Sequence, residues 1–496
     1  MTSYLGIDLG TTFSAAAYID ESGRPKIVNL EKENIIPSCV AMIKDQIVVG
    51  ERARRQWGND PDTAAARFKR DMGGKAEYTI DGSPYTPTDL SSMVLKRIKE
   101  LAEGTIGEIG EVVVTIPANF AQEARDATML AAQNAGLNVK YIINEPTAAA
   151  LYYAYTSDGS LTGTYAVFDL GGGTFDISII KVSGNDVDVV ASNGLSKLGG
   201  DDFDRALLKL VQEKYEEETE RQMDLQDFPI NDAEEEKKSL SRRKRSTVEI
   251  DGDLVDISRS EFEEVISSYL SQIEMMCEAT IEEAGIGPSD IDEVFLAGGS
   301  TRIPAIQELI ERVFGSEPTS EHNVDEVVAL GAALYAAYKS DGEHLSALQK
   351  QSVSKISVTE TSNMCFGTIS VSHSEATGTD VLQNSILIYK GETLPCSVTQ
   401  SYYTIRQDQD AIDCKITESK SAESNPKFVK IIWEGTLELP KNREAGKEIQ
   451  ITYSYDENQL MSASFKDVES GNETNIEISL AKQKDEQNPV NKFLVD

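Results

Sequence analysis

Phe168-Asp169-Leu170-Gly171-Gly172-Gly173-Thr174-Phe175-Asp176 and, far earlier in the chain, Ile7-Asp8-Leu9-Gly10-Thr11-Thr12 repeat one plan. In each, an apolar run ends on an aspartate and breaks into a tight glycine and threonine turn. Glycine lets backbone N–H groups approach an anion closely, threonine hydroxyls add donors, and a strand-end aspartate can hold a metal ion directly or through its waters. A single turn of this kind is more often only a glycine-rich β-turn. Two copies in one chain point instead to two loops gripping opposite sides of one polyphosphate. No GxxxxGK[ST] or GxGxxG follows a strand, so the P-loop and dinucleotide-fold readings fail. A third glycine-rich turn, Phe295-Leu296-Ala297-Gly298-Gly299-Ser300-Thr301-Arg302, also follows an apolar strand.

Around these turns the text alternates short β-type runs with helical patterns. Val112-Val113-Val114-Thr115-Ile116 precedes a helical stretch from Ala124 to Ala135, and Tyr165-Ala166-Val167-Phe168 leads into the glycine run. That alternation argues for α/β architecture. From Ser260 to Ala284 apolar residues recur every three or four positions, with Ser260 and Glu263 spaced as a capping box and Gly285 as the stop. After Lys339 the pattern changes. From Ile356 to Leu480 short alternating stretches dominate, such as Lys427 to Trp433 and Ile449 to Tyr455, which predicts a separate antiparallel β domain. The expected division is therefore 1–339 for the α/β part, 340–355 for a polar linker, 356–481 for the β domain and 482–496 for a tail.

The 496 residues carry 47 basic and 83 acidic side chains, a formal charge of −36, with 40% hydrophobic residues. Such a composition is that of a soluble globular chain and excludes fibrous or wholly disordered classes. The acidic excess repels phosphate backbones and anionic lipid, so neither nucleic acid nor membrane is expected as a partner. The one dense basic run, Arg242-Arg243-Lys244-Arg245, follows Glu234-Glu235-Glu236 at helical spacing and reads as a solvated surface helix. Five scattered cysteines without CxxC pairing, and three histidines, give no disulfide framework or zinc site. The N-terminus carries no signal-peptide pattern and the longest apolar run, Val327 to Tyr338, is too short to span a bilayer, so a cytoplasmic location is expected.

Duplicated Asp-Leu-Gly turns are what the actin, sugar-kinase and Hsp70 superfamily looks like. Further segments narrow the resemblance to Hsp70: Val114-Thr115-Ile116-Pro117-Ala118-Asn119-Phe120, Ile143-Asn144-Glu145-Pro146-Thr147-Ala148-Ala149-Ala150 and Leu198-Gly199-Gly200-Asp201-Asp202-Phe203-Asp204. Gly298 to Pro304 and Asp325 to Ala333 follow in the same order. The chain thus resembles an Hsp70 chaperone, which implies a two-lobed actin-like ATPase domain followed by a β-sandwich.

The resemblance also implies site residues. Asp8, Glu145 and Asp169 correspond to the carboxylates around the water shell of Mg2+, with Asp176 close to the attacking water. Lys69 matches the lysine near the γ-phosphate that orients this water, although Phe68-Lys69-Arg70 alone reads as a solvated surface segment. Gly10, Thr11, Thr12, Gly171, Gly172, Gly173 and Thr174 match the phosphate clamp, and Gly199, Gly200, Asp201 and Asp325 fall in further nucleotide-binding motifs. Glu234, Lys237, Lys238 and Ser241 match the adenosine-contacting face, with Gly298, Gly299, Ser300 and Arg302 opposite it. Lys238 stands where an arginine is common, so planar stacking on adenine is lost and weaker nucleotide affinity is expected. Pro117, Arg125 and Glu145 correspond to the relay between domains; without the resemblance, Pro117 is a strand terminator and Arg125 a helix-surface charge.

Three features depart from the family pattern. The apolar linker is replaced by Leu345 to Ser354, which predicts weaker coupling between the ATP state and the β domain. Polar residues from Val358 to Asn363 stand where peptide contacts are expected. The sequence ends before a helical lid, so a peptide latch is not expected. The cofactors implied are ATP or ADP with Mg2+, and K+ as a further ion. The function implied is slow ATP hydrolysis coupled to weak or altered peptide binding, in protein folding and stress response. The partners implied are a J-domain co-chaperone, a nucleotide-exchange factor and unfolded polypeptide. The alternative is a nucleotide-switched scaffold for one dedicated partner. A small-molecule kinase would need a catalytic aspartate over an acceptor pocket, which the motifs do not supply.

Overall fold

The computed structural model describes residues 3–31, 34–157, 160–184, 186–319, 323–354, 356–374, 378–456 and 460–477. The expected tail 482–496 lies outside the described residues. Two compact units emerge, one reaching Val358 and the other beginning at Thr359, with Ala121–Asp126 grouped with the second.

The first unit contains two sheets built on one plan. In one, Ser3–Asp8 pairs antiparallel with Phe13–Ile19 and parallel with Ile109–Ile116. In the other, Thr162–Leu170 pairs antiparallel with Phe175–Ser183 and parallel with Glu293–Ala297. The repeated Asp-Gly-Thr text is thus a repeated hairpin whose tight turn joins two neighbouring strands. Register places Asp8 opposite Ala15, and Asp169 directly opposite Asp176. Three-stranded and two-stranded sheets complete the unit, together with the helices between strands.

The longest apolar run becomes the helix Val327–Lys339, buried from Val327 to Ala337. A helix apolar all round belongs inside a core. It packs against Glu145–Thr156, whose first residue is the candidate carboxylate Glu145. Small residues make the approach possible. A Cβ on Gly331 would lie 1.7 Å from the Ala148 carbonyl oxygen, and one on Gly6 would lie 2.1 Å from the Ala333 nitrogen.

The periodic stretch expected from Ser260 to Ala284 is two helices, Arg259–Val265 and Ser267–Glu283, broken at the buried Ile266. The capping box is Ser258 with Glu261, not Ser260 with Glu263: Ser258 accepts from Glu261 N, and Glu261 accepts from Ser258 N at 2.8 Å. Both serines precede a glutamate by three. Ser258 wins because it ends the strand Asp253–Ser258 in extended conformation.

The segment expected to be a polar linker is folded into the first unit. Ser346 and Gln349 cap a helix over Ala347–Val353. Leu345, Val353 and Ile356 are buried in the cluster that contains Ala17, Ile19 and Tyr153. Gln349 Nε2 donates to the Ile19 carbonyl at 2.9 Å and Ser352 Oγ to that of Gly23 at 2.5 Å. Ser357–Thr359 then adds a strand beside Asp186–Leu195. The stretch read as peptide-contacting is therefore divided. Val358 packs on the core of the first unit, while Glu360, Thr361, Ser362 and Asn363 are buried.

The second unit contains two antiparallel four-stranded sheets. One orders Thr379–Ile388, Cys365–Ser374, Ala411–Ser419 and Lys430–Glu438; the other orders Cys396–Tyr403, Glu448–Tyr455, Met461–Asp467 and Glu473–Glu477. Alternation along Glu448–Tyr455 buries Ile449, Ile451, Tyr453 and Tyr455 and leaves the residues between them half-buried. Tyr453 ties the sheets together by donating its hydroxyl to the Gly367 carbonyl at 2.8 Å. Arg443 grips Asp467 through two hydrogen bonds of 2.7 and 2.8 Å, with Asp467 fully buried. Arg443→Ala leaves that carboxylate uncompensated and is expected to destabilise the β unit by about 3–5 kcal/mol. Urea unfolding followed by Trp433 fluorescence checks this, and an unchanged midpoint would refute it.

Candidate functional site

The two glycine-threonine turns face each other. A Cβ on Gly172 would fall 1.8 Å from Thr12 Oγ1, and one on Gly173 would fall 2.4 Å from Thr11 Cγ2, so only glycine allows the loops this close. They form the end of a cleft of about 1220 Å³. That volume exceeds the ~300–1,000 Å³ of a typical small-ligand pocket and suits an extended, charged ligand.

Of the residues singled out in the sequence, Asp8, Gly10, Thr11, Thr12, Lys69, Glu145, Asp169, Gly171, Gly172, Thr174 and Asp201 line this cleft. Glu234, Lys237, Lys238, Ser241, Gly298, Gly299, Ser300, Arg302 and Asp325 line it as well. Gly173, Asp176, Gly199 and Gly200 stand behind the lining and support it. Gly199 N donates to Asp202, and Gly200 O accepts from Lys237. Arg125, read without the resemblance as a helix-surface charge, is buried.

The inner end is a carboxylate cluster around one ammonium group. Lys69, on the 3-10 turn Phe68–Asp71, is buried, with Nζ 2.5 Å from Glu145 Oε1. Asp8 accepts from Thr115 Oγ1 at 3.0 Å. Burial and the charge of Glu145 raise Asp8 to about 7, with Lys69 opposing. Burial, then Glu145, pushes Asp169 and Asp176 well above the usual carboxylate range. Asp8, Glu145, Asp169 and Asp176 gather four carboxyl groups around the Lys69 ammonium in a buried space, an oxygen donor set that fits a hard divalent cation, whose charge would favour their ionised forms. Among the described residues no group of three His, Cys, Asp or Glu is placed to ligate a metal ion directly.

These shifts carry a sign. A carboxyl whose folded pKa lies above its unfolded value binds more protons when folded, so stability falls as pH rises from 3.8 towards about 7 for Asp8. The nucleotide-free protein is expected to melt lower at about pH 8 than at about pH 6, and Mg-ADP is expected to remove most of the difference. Differential scanning fluorimetry at both values tests this. A melting temperature that rises with pH would contradict it.

The outer end is held by ion pairs. Glu234 pairs with Lys238 at 2.8 Å and with Arg54 at 2.9 Å; despite its burial, these cations hold its pKa below the usual value. Arg54 and Lys238 both lie over the Phe13 ring, at 5.1 and 5.6 Å. The lysine expected to weaken adenine stacking is thus anchored to the cleft wall. Arg302 pairs with Asp325 at 3.0 Å, and Ser300 Oγ donates to Gly171 O at 3.0 Å. Arg54, Phe13 and Asp204 line the cleft but were not singled out in the sequence. Glu51-Arg52-Ala53-Arg54 reads as an exposed helix face, and nothing local marks Arg54 as the partner of Glu234.

A unit in which two sheets of one plan bring their hairpin turns together at one cleft has the architecture of an actin-like ATPase domain. The Hsp70 protein family model matches residues 4–495. The chain belongs to the Hsp70 family, whose members are chaperone-type ATPases that bind ATP or ADP with Mg2+ and typically work with J-domain proteins, exchange factors and unfolded substrates. No helix among the described residues is long and apolar enough to cross a membrane.

Proposed function

We propose that this chain is a cytoplasmic chaperone that hydrolyses ATP slowly in its first unit and binds polypeptide weakly through its β unit. The observation that carries the reading is the buried ammonium of Lys69 among four carboxyl groups, beside two facing glycine-threonine loops. Backbone N–H groups and hydroxyls of Gly10 to Thr12 and Gly171 to Thr174 hold the polyphosphate. Lys69 would orient the attacking water and offset charge gathering on the γ-phosphoryl oxygens, with Asp176 buried behind the cleft lining. Asp8, Glu145 and Asp169 would hold Mg2+, which when bound neutralises phosphate charge. Phosphoryl transfer needs little else, since positioning and electrostatics carry most of its catalysis.

ATP turnover with and without a J-domain protein, alongside suppression of client aggregation, tests this reading. Slow turnover stimulated by the J-domain protein supports it. Turnover that a J-domain protein does not stimulate, together with no ATP-dependent change in the affinity of an apolar peptide, would sink the chaperone assignment. A second reading, a nucleotide-switched scaffold for one dedicated partner, draws on the segment Leu345–Ile356, a docked helix in place of a short apolar linker. Pull-downs in ADP and in ATP separate the two: one enriched protein favours the scaffold, and a spread of unrelated clients favours the chaperone.

A further inference from the structure

We propose that Arg67 is a positioning residue of the ATPase site, a strut that makes the placement of Lys69 depend on the helix Gly200–Thr219 and on Lys237 beyond it. The inference rests on the ATPase reading above and goes beyond the residues that reading assigns. Arg67 adopts the left-handed conformation, with φ 64° and ψ 12°, immediately before the turn Phe68–Asp71 that carries Lys69. Such a backbone is unfavourable for a residue with a Cβ and persists only where its surroundings fix it.

Here they do so from both ends. The guanidinium stacks 4.8 Å over the Trp57 ring. It crosses to the helix Gly200–Thr219, where Nε is 2.8 Å from Asp201 Oδ1 and Nη2 is 3.4 Å from Asp204 Oδ2. Both carboxylates are almost fully buried, so Arg67 is a charge they need.

Each carboxylate passes the contact on. Asp201 accepts from Thr12 Oγ1 at 3.4 Å, in the first phosphate loop. Asp204 pairs with Lys237 Nζ at 2.6 Å, and Lys237 also donates to the Gly200 carbonyl at 3.1 Å. One residue beyond Lys69, Arg70 pairs with Asp202 on the same helix at 2.9 Å. The turn that aims Lys69 is therefore bolted to the helix that aims Lys237. A planar fork reaching two carboxylates at once is a task for arginine, and lysine performs it only in part.

Arg67 is not among the residues that line the cleft, so its loss acts through Lys69 and Lys237. Arg67→Ala is expected to lower kcat about ten- to a hundredfold by misplacing Lys69, and to speed ADP release severalfold, with Arg67→Lys recovering part of both. Single-turnover hydrolysis and release of a fluorescent ADP analogue, with a melting curve for each variant, read these effects. Should Arg67→Ala fail to fold, Asp204→Asn removes the partner charge and is expected to give the same paired change. A folded Arg67→Ala protein, or a folded Asp204→Asn protein in its place, with wild-type kcat and ADP release overturns the assignment. A wild type that neither binds nor hydrolyses nucleotide overturns the ATPase reading itself, so the two failures are told apart.

Discussion

Lys69→Ala is expected to lower ATP turnover about 10²–10³-fold while leaving the protein folded and able to bind nucleotide, because removing one preorganised charge donor has an effect of that size. Burial isolates the Lys69 ammonium from water, and its charge opposes the raised pKa of Asp8, Asp169 and Asp176 alike. Without it, four carboxylates face a phosphoryl group that gathers negative charge in the transition state. Binding persists because the glycine and threonine loops and the outer ion pairs do not depend on Lys69. Measured kcat should therefore fall far more than KM changes. An unchanged kcat would remove Lys69 from the chemistry.

Gly331→Val is expected to lower stability and ATP turnover together. The added Cβ alone would overlap the Ala148 carbonyl oxygen at 1.7 Å, and that atom belongs to backbone that cannot swing aside. The helices Val327–Lys339 and Glu145–Thr156 must separate, which costs about 3 kcal/mol or more, at the upper end for overpacking. Glu145 begins the displaced helix, so its 2.5 Å contact with Lys69 is disturbed and turnover should drop together with stability. Urea unfolding and ATPase assays on one preparation check both. Wild-type stability in Gly331→Val would mean that the two helices are not packed this closely.

The duplicated turns were legible in the sequence because a strand, a tight turn and a second strand are neighbours along the chain. Asp8 and Asp169 could be read as strand-end acids for the same reason. Lys69 could not: Phe68-Lys69-Arg70 looks solvated, and its burial arises from packing against residues remote in sequence. Arg67 gave no signal either, since its partners Asp201 and Asp204 belong to another hairpin's following helix. At the Ser258 and Ser260 caps the text offered two equal answers, and the end of a strand chose between them. The linker misled through composition. Leu345, Val353 and Ile356 are too far apart to form an apolar run, yet the helix Ala347–Val353, about two turns long, brings them to the same core.

Hydrolysis of ATP in this cleft is read from a single turnover of a preformed complex of wild-type protein and ATP. Bound ATP is expected to convert slowly and completely to ADP with Mg2+ present, and not at all with the metal chelated. Bound ATP that stays intact with Mg2+ present, with or without a J-domain protein, would contradict it.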